Sequence, residues 1–137
     1  MAQFMAGYTA QTYALLRIIT GFLFLAHGSQ KLFNFPIAGM EGMPAFITYG
    51  AGGIEFIGGA LIMIGLLTRW AALIASGTMA AAYWMAHGMN GLFPIANGGE
   101  LATLFCFAFL YIAANGSGVW SVDGSLKAPS SSADAET

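Results

Sequence analysis

Two apolar stretches long enough to cross a bilayer, Thr48 to Leu67 and Trp70 to Met89, are separated by Thr68 and Arg69 alone. A link that short leaves two helices only one arrangement, side by side and antiparallel. A membrane helix needs about 20 mostly apolar residues, and two further stretches meet that length. Ala14 to Phe33 carries Arg17 near its start and Lys31 near its end, and Gly99 to Val119 carries only Glu100. Glu55 is the single charge in 48–67, and 70–89 has none. Pro36, Pro44 and Pro94 fall between the stretches, where they break no helix.

The predicted fold is therefore an all-α membrane protein, an antiparallel four-transmembrane-helix bundle. It is built from two tandem helical hairpins, 14–67 and 70–123, after an N-terminal segment 1–13 and before a disordered polar tail 124–137. Composition points the same way. Only 7% of the residues are charged, against about 25% in soluble domains, and the mean hydropathy is +0.72. A chain of 137 residues cannot hide that deficit in a larger core, so lipid is the expected solvent. A net charge of −2 with no basic cluster excludes nucleic acid as a partner. No basic region precedes the first apolar run and no cleavage site ends it, so that run is read as retained. Arg17, Arg69 and Lys127 fall at the end that holds both termini, and Lys31 stands at the other. The positive-inside rule then places both termini in the cytoplasm.

Each hairpin carries a related phrase. Ala26-His27-Gly28 leads to Leu32-Phe33, and Ala86-His87-Gly88 leads at the same interval to Leu92-Phe93. Phe35-Pro36-Ile37-Ala38-Gly39 is echoed by Phe93-Pro94-Ile95-Ala96-Asn97-Gly98, and Gly52-Gly53-Ile54-Glu55 by Gly98-Gly99-Glu100. Such repetition predicts halves related by a pseudo-two-fold axis along the membrane normal. It pairs His27 with His87 and Glu55 with Glu100. The topology delivers all four, with Lys31, to the end away from the termini. On α-helical geometry Arg17, Thr20, Phe24, His27 and Lys31 fall within an arc of about 80°. That stripe is too polar for lipid and is expected to face the other helices. Lys31 is placed to neutralise Glu55 or Glu100. Small residues at Gly58, Gly59 and Gly65, and at Ala72, Ser76 and Ala80, would allow close helix approach.

Ionisable groups at membrane depth usually face a bundle interior or a cavity. His27, Lys31, Glu55, His87 and Glu100 are the ligand-binding candidates. Carboxylates and imidazoles there can hydrogen-bond a quinone headgroup, with Tyr83, Trp84, Phe105 or Phe109 lining its tail. Arg17, Arg69 and Asn97 are assigned to orientation and packing. A metal held by His27, His87, Glu55 and Glu100 is the weaker alternative, because the Glu-x-x-His signature of di-iron bundles is absent. Met85 and Met89 beside His87, with Met40 and Met43, hint at copper only if the helix breaks at Gly88. A third reading makes the polar cluster structural and the chain a non-catalytic membrane anchor, scaffold or accessory subunit. Its partners would be the bilayer and a protein of a larger complex or a second copy. One cysteine, Cys106, excludes an intrachain disulfide and a Cys-x-x-Cys relay. There is no nucleophile elbow, phosphate loop or dinucleotide fingerprint.

From about Leu15 to Asp123 the chain resembles the DoxX family of small bacterial integral membrane proteins. The resemblance rests on Leu15-Leu16-Arg17, on His27-Gly28-x-x-Lys31-Leu32-Phe33 and on Glu55-x-x-Gly58-Gly59. It continues through Gly65-Leu66-Leu67-Thr68-Arg69, Asn97-Gly98-Gly99-Glu100-Leu101 and Gly116 through Asp123. It implies four membrane helices in the bacterial cytoplasmic membrane and a place in a redox-associated complex. The family name comes from a membrane subunit associated with thiosulfate:quinone oxidoreduction, and other relatives are linked to oxidative-stress and thiol-homeostasis complexes. With Cys106 alone, any sulfur relay would have to come from another subunit.

Overall fold

The computed structural model describes residues 3–127. Every regular element among them is helical. A 3₁₀ turn, Ala6–Tyr8, leads into α1 (Thr9–Phe33). A π-helical segment, Phe46–Ala51, runs directly into α2 (Gly52–Ile64). α3 (Thr68–Ala86) is followed by a 3₁₀ turn, Gly88–Asn90, and the single turn α4 (Pro94–Asn97). α5 (Glu100–Asn115) and the short α6 (Val122–Lys127) complete the order. Two helical stretches, Ala6–Phe33 and Phe46–Ile64, are long and apolar enough to cross a membrane, and Glu100–Asn115 is apolar but shorter.

The turn between α2 and α3 lies three residues earlier than the hydropathy suggested, at Gly65-Leu66-Leu67 rather than Thr68-Arg69. Gly65 adopts φ +75°, its N–H reaches Ile62 O at 3.2 Å, and Leu66 N–H reaches Leu61 O at 2.9 Å. These are the paired bonds of a glycine-terminated helix end, which hydropathy cannot register. Thr68 then opens α3, and Asp123 receives the Leu67 and Thr68 backbone N–H groups at 3.0 Å each. Asp123 thus caps α3 from a distance in sequence and brings α6 beneath the turn. Residues 124–127 of the expected unstructured tail belong to α6, and 128–137 lie outside the described residues.

α1 and α2 meet through backbone. A Cβ on Gly21 would lie 2.6 Å from Met63 N and 2.9 Å from Gly59 O, and one on Gly59 would strike Gly21 O and the Leu25 backbone. Gly28 stands equally close to Gly52 O and Phe56. The expectation for Gly59 therefore holds, and its partners on α1 are Gly21 and Leu25. Across α3 and α5, buried Ala72, Ala75 and Ser76 make the approach, and Ser76 Oγ donates to Cys106 O at 2.8 Å. α1 and α5 come together through rings instead. Phe24 lies 5.7 Å from Phe105 and 4.6 Å from Phe109, and Tyr13 lies 5.7 Å from Tyr111, centroid to centroid. Such pairs add about 0.5–1.5 kcal/mol each beyond burial. Phe24, Phe109, Ile62 and Ile112 are fully buried at the centre. The outward faces carry Leu15, Ile19, Phe22, Ile57, Ile74, Leu104 and Phe107, all exposed. An apolar surface of that extent suits lipid rather than water.

Candidate functional site

The polar stripe of α1 faces inward as predicted: Arg17, Thr20 and Phe24 are buried, and His27 and Lys31 are half-buried. Near its upper end Lys31 Nζ donates to Glu55 Oε2 at 2.5 Å, the one salt bridge found among the described residues. The side chains are 18% and 5% exposed respectively, so the carboxylate is withdrawn from solvent while the ammonium keeps an edge. The contact depends on a bare backbone. A Cβ on Gly52 would lie 3.1 Å from Lys31 Cβ and 3.3 Å from Leu32 Cγ, so glycine there lets the lysine stem lie along α2. His27 stands one turn before Lys31, within electrostatic reach of both partners. Its ring meets Phe105 edge-on at 6.0 Å and 88°.

The π-helical segment ends one turn before Glu55. Hydropathy missed it, and its only sequence signals are Pro44 and the closely spaced Gly50, Gly52 and Gly53. Wide π turns occur often at functional sites because they displace a helix face by one residue. Here Gly52 N–H is shared between Ile47 O and Tyr49 O.

His87 and Glu100 do not join this group. His87 closes α3, and its Nδ1 lies 3.0 Å from Asn97 O. A carbonyl only accepts, so Nδ1 carries the proton. Asn97 organises the turn. Its Nδ2 donates to Tyr83 Oη at 3.0 Å and Gly91 O at 2.9 Å, and its Oδ1 accepts from Gly99 N at 2.8 Å. Glu100 is exposed in the first turn of α5 and forms no salt bridge among the described residues. The expectation that Lys31 could serve either glutamate resolves in favour of Glu55, the carboxylate its ammonium bonds. Among the described residues no three His, Cys, Asp or Glu side chains come close enough to hold a metal ion. The quartet His27, His87, Glu55 and Glu100 is therefore split between two places. α3 does break at Ala86, just before Gly88, but Met85 and Met89 both point to exposed surface.

At the opposite end the two arginines do the same work. Arg17, fully buried, donates to Ile62 O at 2.7 Å, Met63 O at 2.8 Å, Trp120 O at 2.7 Å and Val119 O at 3.3 Å. Arg69, exposed, donates to Ala113 O at 2.9 Å, Ala114 O at 2.6 Å and Asn115 O at 3.4 Å. Each guanidinium satisfies the last carbonyls of the next long helix, where the helix dipole favours a cation. A groove of about 400 Å³ beside Arg69 is lined by Trp70, Leu73, Leu110, Ala113 and Ala114. Its only charged group is engaged with those carbonyls. Nearby, the Thr68 backbone N–H holds the Asp123 carboxyl below its ordinary 3.8, helped by Leu67 N–H and the Thr68 hydroxyl and opposed by partial burial.

A profile of the DoxX family matches residues 12–88, more than half of the chain. The matched stretch contains His27, Lys31, Glu55 and His87 and stops before Glu100. An uncharacterized protein of Haemophilus influenzae is 43% identical over 124 residues, covering 85% of this chain and 91% of that protein. A Bacillus subtilis protein named "Putative oxidoreductase CatD" is 38% identical over 72 residues, 50% of this chain and 54% of CatD. No solved structure shows a significant match.

Proposed function

The chain belongs to the DoxX family of membrane proteins, and from that premise we propose that it is the membrane component of a redox-associated complex and binds a quinone headgroup beside Lys31 and Glu55. The observation that carries the reading is the half-buried Lys31–Glu55 pair, with His27 alongside and Phe105 edge-on to that imidazole. Quinone carbonyl oxygens accept hydrogen bonds, which an ammonium and an imidazole N–H can donate. Quinol hydroxyls donate, and a carboxylate accepts. One cluster thus suits both forms of the ligand. The oxidoreductase name of CatD supports a redox setting. Electrons would be exchanged with a partner enzyme of the complex, since the chain's own redox-active side chain is a single thiol, Cys106, beside Ser76.

The accompanying architecture is a four-helix transmembrane bundle of two hairpins in the bacterial cytoplasmic membrane. Arg17, Arg69 and α6 lie at the end where α1 begins, which supports a cytoplasmic placement of that end. The complementary reading is a scaffold whose ion pair only holds α1 and α2 in register. Gly28 and Gly52, which bring the two backbones together around it, favour that use.

The two readings separate in one experiment. The protein is extracted gently in its own lipids, and bound small molecules are identified by native mass spectrometry. The quinone reading expects an adduct in the wild type that is lost in Glu55→Gln and weakened in His27→Ala. Wild-type thermal stability in His27→Ala shows that the loss is local. A bare chain bound stoichiometrically to another polypeptide refutes the quinone site and makes this chain a scaffold.

A further inference from the structure

The Phe-Pro-Ile-Ala phrase occurs twice, and neither copy touches the Lys31–Glu55 site. Both copies lie in connections at the same end of the molecule, the first between α1 and the π-helical segment, the second between α3 and α5, where it runs into the single turn α4. In both, the large side chains turn outward. Phe35 and Ile37 are 67% and 65% exposed, and Phe93 and Ile95 are 68% and 80% exposed, with Leu92 beside them at 79%. We propose that these two loops are immersed in lipid at the outer boundary of the bilayer, with Phe35, Ile37, Leu92, Phe93 and Ile95 among acyl chains. The proposal rests on the membrane-spanning reading above.

Three observations support it. The first is length. Arg17 and Arg69 mark one level of the molecule, because each ties its own helix to the end of the next. Exposed Trp70 and Trp120 stand at that level, as expected of a membrane–water interface. From there α1 runs to Phe33 and α3 to Ala86 in roughly 24–26 Å, and α5 spans about 22–24 Å. A hydrocarbon core is about 30 Å thick. The missing few ångströms at the far end fall on the two loops.

The second is charge. Between Lys31 and Glu55 the only charged residue is Glu41, and between Arg69 and Glu100 there is none. With no free cation at this end among the described residues, insertion would be driven by apolar area and would not require anionic lipid.

The third is how the loop backbones are satisfied. Non-helical backbone is tolerated at membrane depth only where its polar groups find partners in the protein. Here amide side chains supply several of them. Gln30 Nε2 donates to Ala38 O at 3.1 Å, and Gly39 N donates to Asn34 Oδ1 at 2.9 Å. In the second loop Asn97 bonds both Gly91 O and Gly99 N, and His87 bonds Asn97 O. In both copies the rings turn outward while amide side chains bond the neighbouring backbone.

The test uses the full chain in phosphatidylcholine vesicles with Cys106→Ser as background. Single cysteines replace Ile37, Ile95, Glu41 or Leu73 and carry a nitroxide. All four positions are exposed, so the labels leave the core untouched. Collision with dissolved oxygen reports lipid, and collision with a neutral nickel chelate reports water. Labels at Ile37 and Ile95 are expected to show an oxygen-to-nickel ratio close to that at Leu73 and several-fold above that at Glu41. Nickel-dominated labels at Ile37 and Ile95 beside an oxygen-dominated Leu73 overturn this proposal alone. A nickel-dominated Leu73 overturns the membrane-spanning reading with it. Labels shielded from both reagents mean that protein covers the loops, which also overturns the proposal.

Discussion

Replacing Arg17 with methionine tests whether the geometry around α2 is held where the hydrogen bonds place it. The side chain is fully buried and makes three bonds of 2.7–2.8 Å and one of 3.3 Å, all to carbonyls. Methionine refills most of the volume and removes the cost of burying a guanidinium, so the four bonds cannot simply be summed. What remains is the penalty of carbonyls left without a donor, about 1–3 kcal/mol each. Ile62 O retains a bond from Gly65 N–H at 3.2 Å, which leaves Met63, Trp120 and the weakly bonded Val119. Two stranded carbonyls near the low end of that range, plus the lost tether of the 119–120 segment, give a loss of about 3 kcal/mol. Arg69→Met is the internal control. It removes a similar set of bonds, but from an exposed side chain whose acceptors can turn to water, and should cost only about 1 kcal/mol. Arg17→Lys should fall between, because one ammonium cannot fork to both α2 and the 119–120 carbonyls. Reversible unfolding in mixed detergent micelles, followed by helical circular dichroism, gives all three values on one scale. An Arg17→Met variant no less stable than Arg69→Met would show that burial does not separate the two caps, and the reasoning would fail.

Three other perturbations follow from the same geometry. Lys31→Met alone should cost about 3 kcal/mol by stranding a buried carboxylate, and the Lys31→Met/Glu55→Leu pair should restore most of it; a double-mutant cycle in the same micelles would show no coupling if the pair is only incidental. Gly21→Ala should destabilise by about 1–3 kcal/mol because its Cβ would press on the Met63 and Gly59 backbone. Gly77→Ala, whose Cβ would meet open space within α3, should instead stabilise by about 0.5–1 kcal/mol, and equal melting temperatures for the two variants would contradict the packing. The folded Asp123 carboxyl is held below its ordinary value, so the stability it adds is complete above pH 3.8 and is lost as pH falls through the folded value. The melting-temperature gap between wild type and Asp123→Asn should therefore be constant near neutrality and close below about pH 4, and a gap that persists in acid would argue against the cap.

The large features were legible because they rest on long apolar runs and on helical periodicity. α1 ends at Phe33 where the hydropathy ends it, and its polar stripe faces inward. Gly59 does sit at a close helix contact. Legibility failed where a single backbone conformation or a distant partner decides. The end of α2 is set by Gly65 at positive φ and not by the apolar Leu66 and Leu67 that follow it. Asp123 caps α3 across more than fifty residues, and no local pattern announces that. The π-helical segment before Glu55 was nearly silent, since Phe46–Ala51 is apolar and only Pro44, Gly50, Gly52 and Gly53 mark it.

The repeated phrase shows why similar words need not mean equivalent places. His27 lies inside α1 and faces Phe105, whereas His87 closes α3 and ties down Asn97. Glu55 is buried against Lys31, whereas Glu100 stands exposed at the head of α5. A histidine inside a helix can meet a group on the neighbouring helix, but one at a helix end meets the loop that follows. The spacing from His to Glu also differs, 28 residues in one half and 13 in the other. Only the first half therefore brings an imidazole, an ammonium and a carboxylate together. The arginines give the contrary lesson. Arg17 and Arg69 sit in unlike words, yet both seize the last carbonyls of the helix that follows their own. What the two halves share in space is the way a helix end is closed. What sets the first half apart is a lysine one turn after a histidine, opposite a glycine that lets it reach a glutamate. A ligand site confined to one half is what that asymmetry predicts.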